Sequence, residues 1–228
     1  DTVVVGAGLA GLHAARTLLR AGQRVCVLEA RDRTGGRTWT APFPGTQVGV
    51  DWGAEWIIPT LHPRLCALAD EFGVATEAEG DAVEWRVPGH TFDIDYAALR
   101  RERPGFAAGL DALQAWYDAG NDDNERTLAE LLCERVRDPT DRALIEAAFF
   151  PLTGADPSHI STTAEHEEIR FHGGDIAMML APVTYRFRDG TGAIVAGLAN
   201  ALGDAVRLSS PVDSITESAA GVRVRGPA

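Results

Sequence analysis

The sequence contains no lysine: all 21 of its basic residues are arginine. That excludes a Schiff-base lysine or a lysine general base from these residues. There is no run of about 18 or more apolar residues, so no segment reads as a membrane-spanning helix. No leader of the charged-then-apolar kind is expected among these residues, because Asp1 opens directly into an apolar strand; a presequence removed earlier stays open. Cysteine is scarce and odd in number. Cys26, Cys66 and Cys133 stand far apart, which suits free thiols better than a disulfide or metal framework and points to a reducing, cytoplasmic compartment. Positive charge is in deficit, with 21 basic against 33 acidic residues and a net charge of −12. Nucleic acid and anionic membrane surfaces are poor partners for such a chain.

One stretch runs against the acidic trend. Arg31, Arg33 and Arg37 fall close together, and such a cationic knot suggests a bound anion or three solvated side chains. Around it the pattern is α/β. Residues 2–5 (TVVV) read as a buried strand, 9–21 as a helix stopped by Gly22, and 24–29 as a second strand, which together make a βαβ unit. Leu61, Leu65, Leu68 and Phe72 recur at helical spacing, predicting a helix over 61–73 that ends near Gly73. From 81 to 184 short helices alternate with Pro, Gly and Asp, and Thr127-x-x-Glu130 is a capping box opening the helix LAELLCERV. Beyond Gly190 the α/β texture returns: a helix over 192–203, a strand at 206–208, and a hairpin from 212–216 and 221–225. The division is therefore 1–80, a mainly helical insertion over 81–184, and a return over 185–228.

The first chemical motif is Gly6-x-Gly8-x-x-Gly11, entered from a strand and left as a helix, with Ala10 in the same turn. Gly6 permits the tight turn, Gly8 lets the backbone approach a pyrophosphate, and Gly11 lets the helix pack on the sheet. The helix N-terminus then faces the anion. Glu29 ends the second strand, where an acid accepts hydrogen bonds from the adenosine ribose. That position disfavours a 2′-phosphate and leaves NAD and FAD both open.

The segment EARDRTGGRTWT (29–40) resembles the second fingerprint of the flavin amine oxidase family. The resemblance implies a glutathione-reductase-like, Rossmann-type FAD-binding domain carrying a mainly helical substrate-domain insertion. It implies FAD as cofactor, with Gly35, Gly36, Arg37 and Thr38 near the flavin-side phosphate and Ala30 and Arg31 near the adenosine. It continues through 48–74, placing Gly53, Ala54, Glu55 and Trp56 beside the flavin, with Trp56 toward the substrate unless it is a core aromatic. It resumes over 184–215, where Val212 matches the position whose backbone meets adenine. Phe150 and Leu152 match a segment lining the substrate cavity, with core packing an equal alternative. The activity implied is oxidation of an amine to an imine, then an aldehyde or ketone, with O2 reduced to H2O2.

Departures from the family shape the reading. Amino-acid oxidases of the family carry an arginine in the turn matching 53–56, and no arginine or lysine lies between Asp51 and Pro63 here. A substrate carboxylate would lack a charge partner, which favours an amine over an amino acid. The family's C-terminal half, with its aromatic cage and lysine, has no counterpart in these residues. Catalytic residues are therefore expected elsewhere, on a C-terminal half or a second polypeptide. An L-amino-acid oxidase, a desaturase or protoporphyrinogen-oxidase-like enzyme, and a non-catalytic FAD-holding subunit are the alternatives. No metal site is expected. His166, Glu167 and Glu168 are followed by Arg170 where a zinc helix needs histidine, and Asp122, Asp123 and Glu125 lack the glycine and glutamate of a calcium loop.

Overall fold

The structure, a computed structural model, describes residues 1–78, 84–120, 125–180 and 184–227. The chain forms two compact units, Asp1–Glu79 with Thr184–Ala228, and Gly80–Val183. The expected boundary at 80/81 and the pair Asp122 and Asp123 lie outside the described residues.

The first unit opens with β1 (Thr2–Val5), α1 (Leu9–Arg20) and β2 (Val25–Leu28). The two strands pair in parallel, Val4 opposite Val27. Val4 and Val27 pack with Leu12 and Ala15 of α1, whereas Val3 and Val5 alternate to the other side and are exposed. Two short antiparallel strands follow, β3 (Thr40–Pro42) and β4 (Gly49–Asp51), then β5 (Trp56–Ile57), α2 (Pro63–Phe72) and β6 (Thr76–Ala78). Helix α2 begins at Pro63 instead of Leu61. Proline disfavours helical backbone at the preceding residue, so His62 stays outside the helix and its Nδ1 accepts the Ile58 N–H at 3.0 Å. Gly73, with φ +66°, ends it in a left-handed turn. Helices α1 and α2 are joined by Glu71, which takes hydrogen bonds from Arg16 and from Arg20, the latter at 2.7 Å. Those two bonds hold the Glu71 carboxyl down at about 2.

The second unit starts with a hairpin that the sequence pattern did not announce, β7 (Glu84–Val87) and β8 (His90–Asp93). Among the described residues six α-helices follow: α3 (Tyr96–Glu102), α4 (Pro104–Asp118), α5 (Leu128–Arg135), α6 (Pro139–Thr153), α7 (Thr162–Phe171) and α8 (Ile176–Leu180). Phe106, Leu110, Leu131, Leu144 and Phe149 anchor one apolar core. The capping box forms: Thr127 Oγ1 accepts the Glu130 N–H and Glu130 Oε2 accepts the Thr127 N–H. Helix α5 stops at Arg135, because Val136 turns to extended backbone and into the core.

The first unit is then completed by β9 (Tyr185–Phe187), α9 (Gly192–Leu202), β10 (Val206–Arg207), β11 (Ser214–Ser218) and β12 (Gly221–Arg225). Strand β10 extends the parallel sheet to the order β1-β2-β10, and β9 lies between β5 and β6 in a second, antiparallel sheet. Ile194 and Leu198 of α9 close the core over Leu12 and Val27. Among the described residues, no helix is long and apolar enough to cross a membrane.

Candidate cofactor site

The loop between β1 and α1 is built by close approach. Gly6 has φ +96°, and its N–H donates to the Leu28 carbonyl at 2.8 Å. A β-carbon on Gly11 would lie 2.1 Å from the Gly6 carbonyl oxygen, so any larger residue would push the helix off the loop. Helix α1 has no side-chain cap and no acid in its first turn, which leaves its leading N–H groups available to an anion beside Ala10.

A second glycine loop is stitched onto the first. The Gly35 N–H donates to the Ala7 carbonyl at 2.8 Å, Gly8 and Gly35 form an isolated parallel bridge, and a β-carbon on Gly36 would lie 3.6 Å from the Gly8 Cα. Glu29 stands behind both loops, only 8% exposed. Its Oε2 accepts the Ala7 N–H at 2.7 Å and its Oε1 accepts the Arg31 N–H at 2.9 Å. Burial pushes this carboxyl up, but the N–H groups of Arg31 and Ala7, the Arg31 charge and the Ala30 N–H outweigh it and hold it below the usual range. A carboxylate offers about four lone-pair sites, so acceptor capacity remains for a ligand hydroxyl.

The three arginines of the cationic knot have separate fates. Arg33 turns back onto the Gly36 carbonyl at 3.2 Å and lies over the Trp39 ring, 4.6 Å from its centroid. Arg31 is exposed at the end of the Glu29 turn, where its carbonyl accepts the Ser209 N–H at 2.8 Å. Arg37 is exposed, and its guanidinium has no partner among the described residues. Its backbone is fixed: the Arg37 carbonyl accepts the Ala54 N–H at 3.1 Å, and a β-carbon on Gly53 would lie 1.9 Å from that oxygen. Thr38 completes the turn by donating its N–H to the Gly35 carbonyl at 3.0 Å.

The 51–54 turn is held by residues that the motifs did not reveal. Asp51 accepts the Thr191 N–H at 3.0 Å and the Thr191 hydroxyl at 2.8 Å, and it also accepts the Thr40 hydroxyl. The Gly192 N–H donates to Thr40 Oγ1 at 2.7 Å. This clamp joins β3, β4 and the start of α9, and its ends are 140 residues apart, beyond any local sequence signal. Glu55 is half-buried, and Trp56 is 55% exposed on β5, opposite Arg186. Trp56 is therefore not part of the core formed by the described residues. Among the described residues the backbone of Val212 has no hydrogen-bond partner, while Asp213 beside it donates to the Arg225 carbonyl at 2.8 Å. Phe150 and Leu152 belong to α6 in the other unit; both are exposed, whereas neighbouring Phe149 fills the core.

A parallel βαβ unit, a glycine loop that a single β-carbon would block, and a buried acid ending the second strand define a dinucleotide-binding protein of Rossmann-like fold. The donor set fits such a ligand: free helix N–H groups and an unpaired arginine for phosphates, a carboxylate for hydroxyls. Residues 9–227 match the family described as flavin containing amine oxidoreductase, and the chain belongs to that family, whose cofactor is FAD. It is 52% identical to the putrescine oxidase of Kocuria rosea over 86 residues, covering 36% of this chain and 17% of that protein. It is 33% identical to AofH of Mycobacterium tuberculosis over 245 residues, covering 98% of this chain and 53% of that protein. The cyclohexylamine oxidase of Brevibacterium oxydans IH-35A superposes with a TM-score of 0.81 at 26% identity, covering 99% of this chain and 54% of its own. The chain thus spans about half the length of the last two proteins.

Proposed function

We propose that this chain grips FAD through its joined glycine loops as part of an enzyme that oxidises an amine to an imine, which water hydrolyses to an aldehyde or ketone. The observation that carries the reading is the Gly8–Gly35 bridge with Glu29 bonded behind it and Arg37 unpaired beside it. The first-turn N–H groups of α1, around Ala10, and the Arg37 guanidinium hold the phosphates. The spare lone pairs of Glu29 accept the ribose hydroxyls, Ala30 and Arg31 flank the adenosine, and the unpaired backbone of Val212 meets the adenine. Gly35, Gly36, Thr38 and the turn Gly53–Ala54–Glu55–Trp56 run along the flavin, and the Asp51–Thr191 clamp keeps that turn from moving. Bound flavin supplies a two-electron acceptor for the C–H bond beside the amine nitrogen and passes the electrons to O2, giving H2O2.

An amine is favoured over an amino acid because residues 51–63 contain no arginine or lysine to pair with a carboxylate, and His62 spends its Nδ1 on the Ile58 N–H. The relatives named for putrescine and cyclohexylamine support the same class. Phe150 and Leu152 are the pocket candidates of the helical unit, and Trp56 that of the first unit. The rest of the site comes from a further polypeptide segment, either a C-terminal half or a second chain. Val3 and Val5, 44% and 51% exposed on a parallel strand, support this, because parallel sheets are normally covered on both faces. The test is the absorbance spectrum of the protein purified with the segment that completes its site, together with peroxide release from a panel of amines and amino acids. A flavin spectrum with peroxide from amines alone is expected. A protein with no flavin overturns the reading, and flavin without turnover of any amine would leave a flavin-holding subunit.

A further inference from the structure

The helical unit contains a carboxyl for which the cofactor reading has no use. Glu165 lies on α7 and is 1% exposed, and neither of its side-chain oxygens has a hydrogen-bond partner among the described residues. It shares its helix face with Thr162 and Ile169, each also 1% exposed, and Ile169 belongs to the apolar core. A carboxylate in such a place loses its water and gains no donor, so the neutral acid is strongly preferred.

The charges around α7 do not relieve it. On α7 itself the His166 ring lies tilted against Tyr117 of α4, 4.4 Å between centroids, while Glu167 pairs with Arg170. Glu168 lies 3.5 Å from the His172 ring nitrogen. Packed against α7 is α5, preceded by Arg126, whose guanidinium lies 2.8 Å from Glu134. Glu130 closes the capping box, and Cys133, Glu134 and Arg135 are exposed. On α4, Asp118 accepts from Gln114 at 2.9 Å, and Asp175 caps α8 by accepting the Ala177 N–H at 2.8 Å. Of all these groups only Glu168 acts on Glu165, and a like charge opposes ionisation as burial does.

We propose that Glu165 is a proton-operated latch of the helical unit: as the neutral acid it completes the core beneath α7, and its ionisation loosens that helix. Burial first, and the Glu168 charge second, push its pKa up to about 8. The folded value lies above the ordinary 4.5, so the group's stabilising contribution is whole below pH 4.5. It is lost as pH rises toward about 8 and changes no further above that. Loosening of α7 is thus an alkaline event.

The direct test is NMR of the full chain with its glutamate side-chain carboxyl carbons labelled. One resonance titrating near pH 8 is expected, and it should vanish in Glu165→Gln. Denaturant unfolding supplies the second readout. The unfolding constant of the parent relative to Glu165→Gln should rise about tenfold per pH unit between pH 4.5 and 8, then level off. If the glutamine variant fails to fold, Glu165→Leu provides the assignment and the reference in its place. Titration of every glutamate in the ordinary carboxylate range, or parallel pH curves for parent and variant, overturns the proposal.

Discussion

Glu29 in the first unit and Glu165 in the second are both nearly inaccessible, 8% and 1% exposed, yet they hold opposite charge states at neutral pH. Glu29 receives two backbone N–H groups at 2.7 and 2.9 Å, so it stays an anion and ties two loops together. Glu165 receives none, so it stays an acid and behaves as part of an apolar core. Burial alone therefore does not decide the charge of a carboxyl; the donors within reach do. The same contrast runs through the two units. The first is organised by close backbone approaches that only glycine permits, whereas the second is organised by apolar volume around Phe106, Leu110 and Phe149.

The contrast can be broken, beginning with the largest effect. Phe106→Ala removes a fully buried ring that meets Trp85 and Tyr96 edge-on, 6.3 and 6.1 Å between centroids. It should cost about 3–5 kcal/mol in denaturant unfolding, with flavin content per folded molecule unchanged. Gly11→Ala adds one carbon where the Gly6 oxygen stands 2.1 Å away. It should cost about 3 kcal/mol and strip the flavin absorbance. Retention of flavin by that variant would remove the distinction between a site built on backbone approach and a unit built on volume.

Glu29→Gln keeps the shape but removes the charge, and a loss of about 1–3 kcal/mol is expected. Its pH signature sharpens the comparison, because the Glu29 pKa is depressed on folding. The parent's Glu29 contribution is present above the ordinary 4.5 and is lost as pH falls through the lower folded value. The glutamine variant should lack that acid limb in an unfolding series from neutral to low pH. The two glutamates thus act at opposite ends of the pH scale. Smallest is Thr127→Ala, which opens the capping box of α5 and should cost about 1 kcal/mol. Faster hydrogen exchange confined to the first turn of that helix would identify the cap as the cause.

What the sequence made legible is local. The glycine loops could be read because positive φ and close approach constrain single residues, and the capping box because its partners are three residues apart. The pairing of β1 with β2 could be read because one helix links two apolar strands, whereas the addition of β10, far along the chain, had no local signal. The Asp51–Thr191 clamp stayed hidden because its halves are 140 residues apart and neither carries a motif. Strands β5, β6 and β9, two or three residues long, are too short to show alternation. Arg33 looks equivalent to Arg37 in sequence, and only the fold turns one onto Trp39 and leaves the other open. Glu165 sits in a run of His and Glu that reads as a solvated helix face, and only its phase with Thr162 and Ile169 turns it inward.

The pairing of β6 with β9 has a practical meaning for the helical unit. Ala78 and Tyr185 face each other across that ladder, so the chain leaves the first unit and returns to it at neighbouring points. A two-residue Asn-Gly turn is the natural closure of such a pair of strands. The helical unit is in this sense entered and left by one doorway, and the residues proposed to grip the cofactor are all threaded on the other side of it.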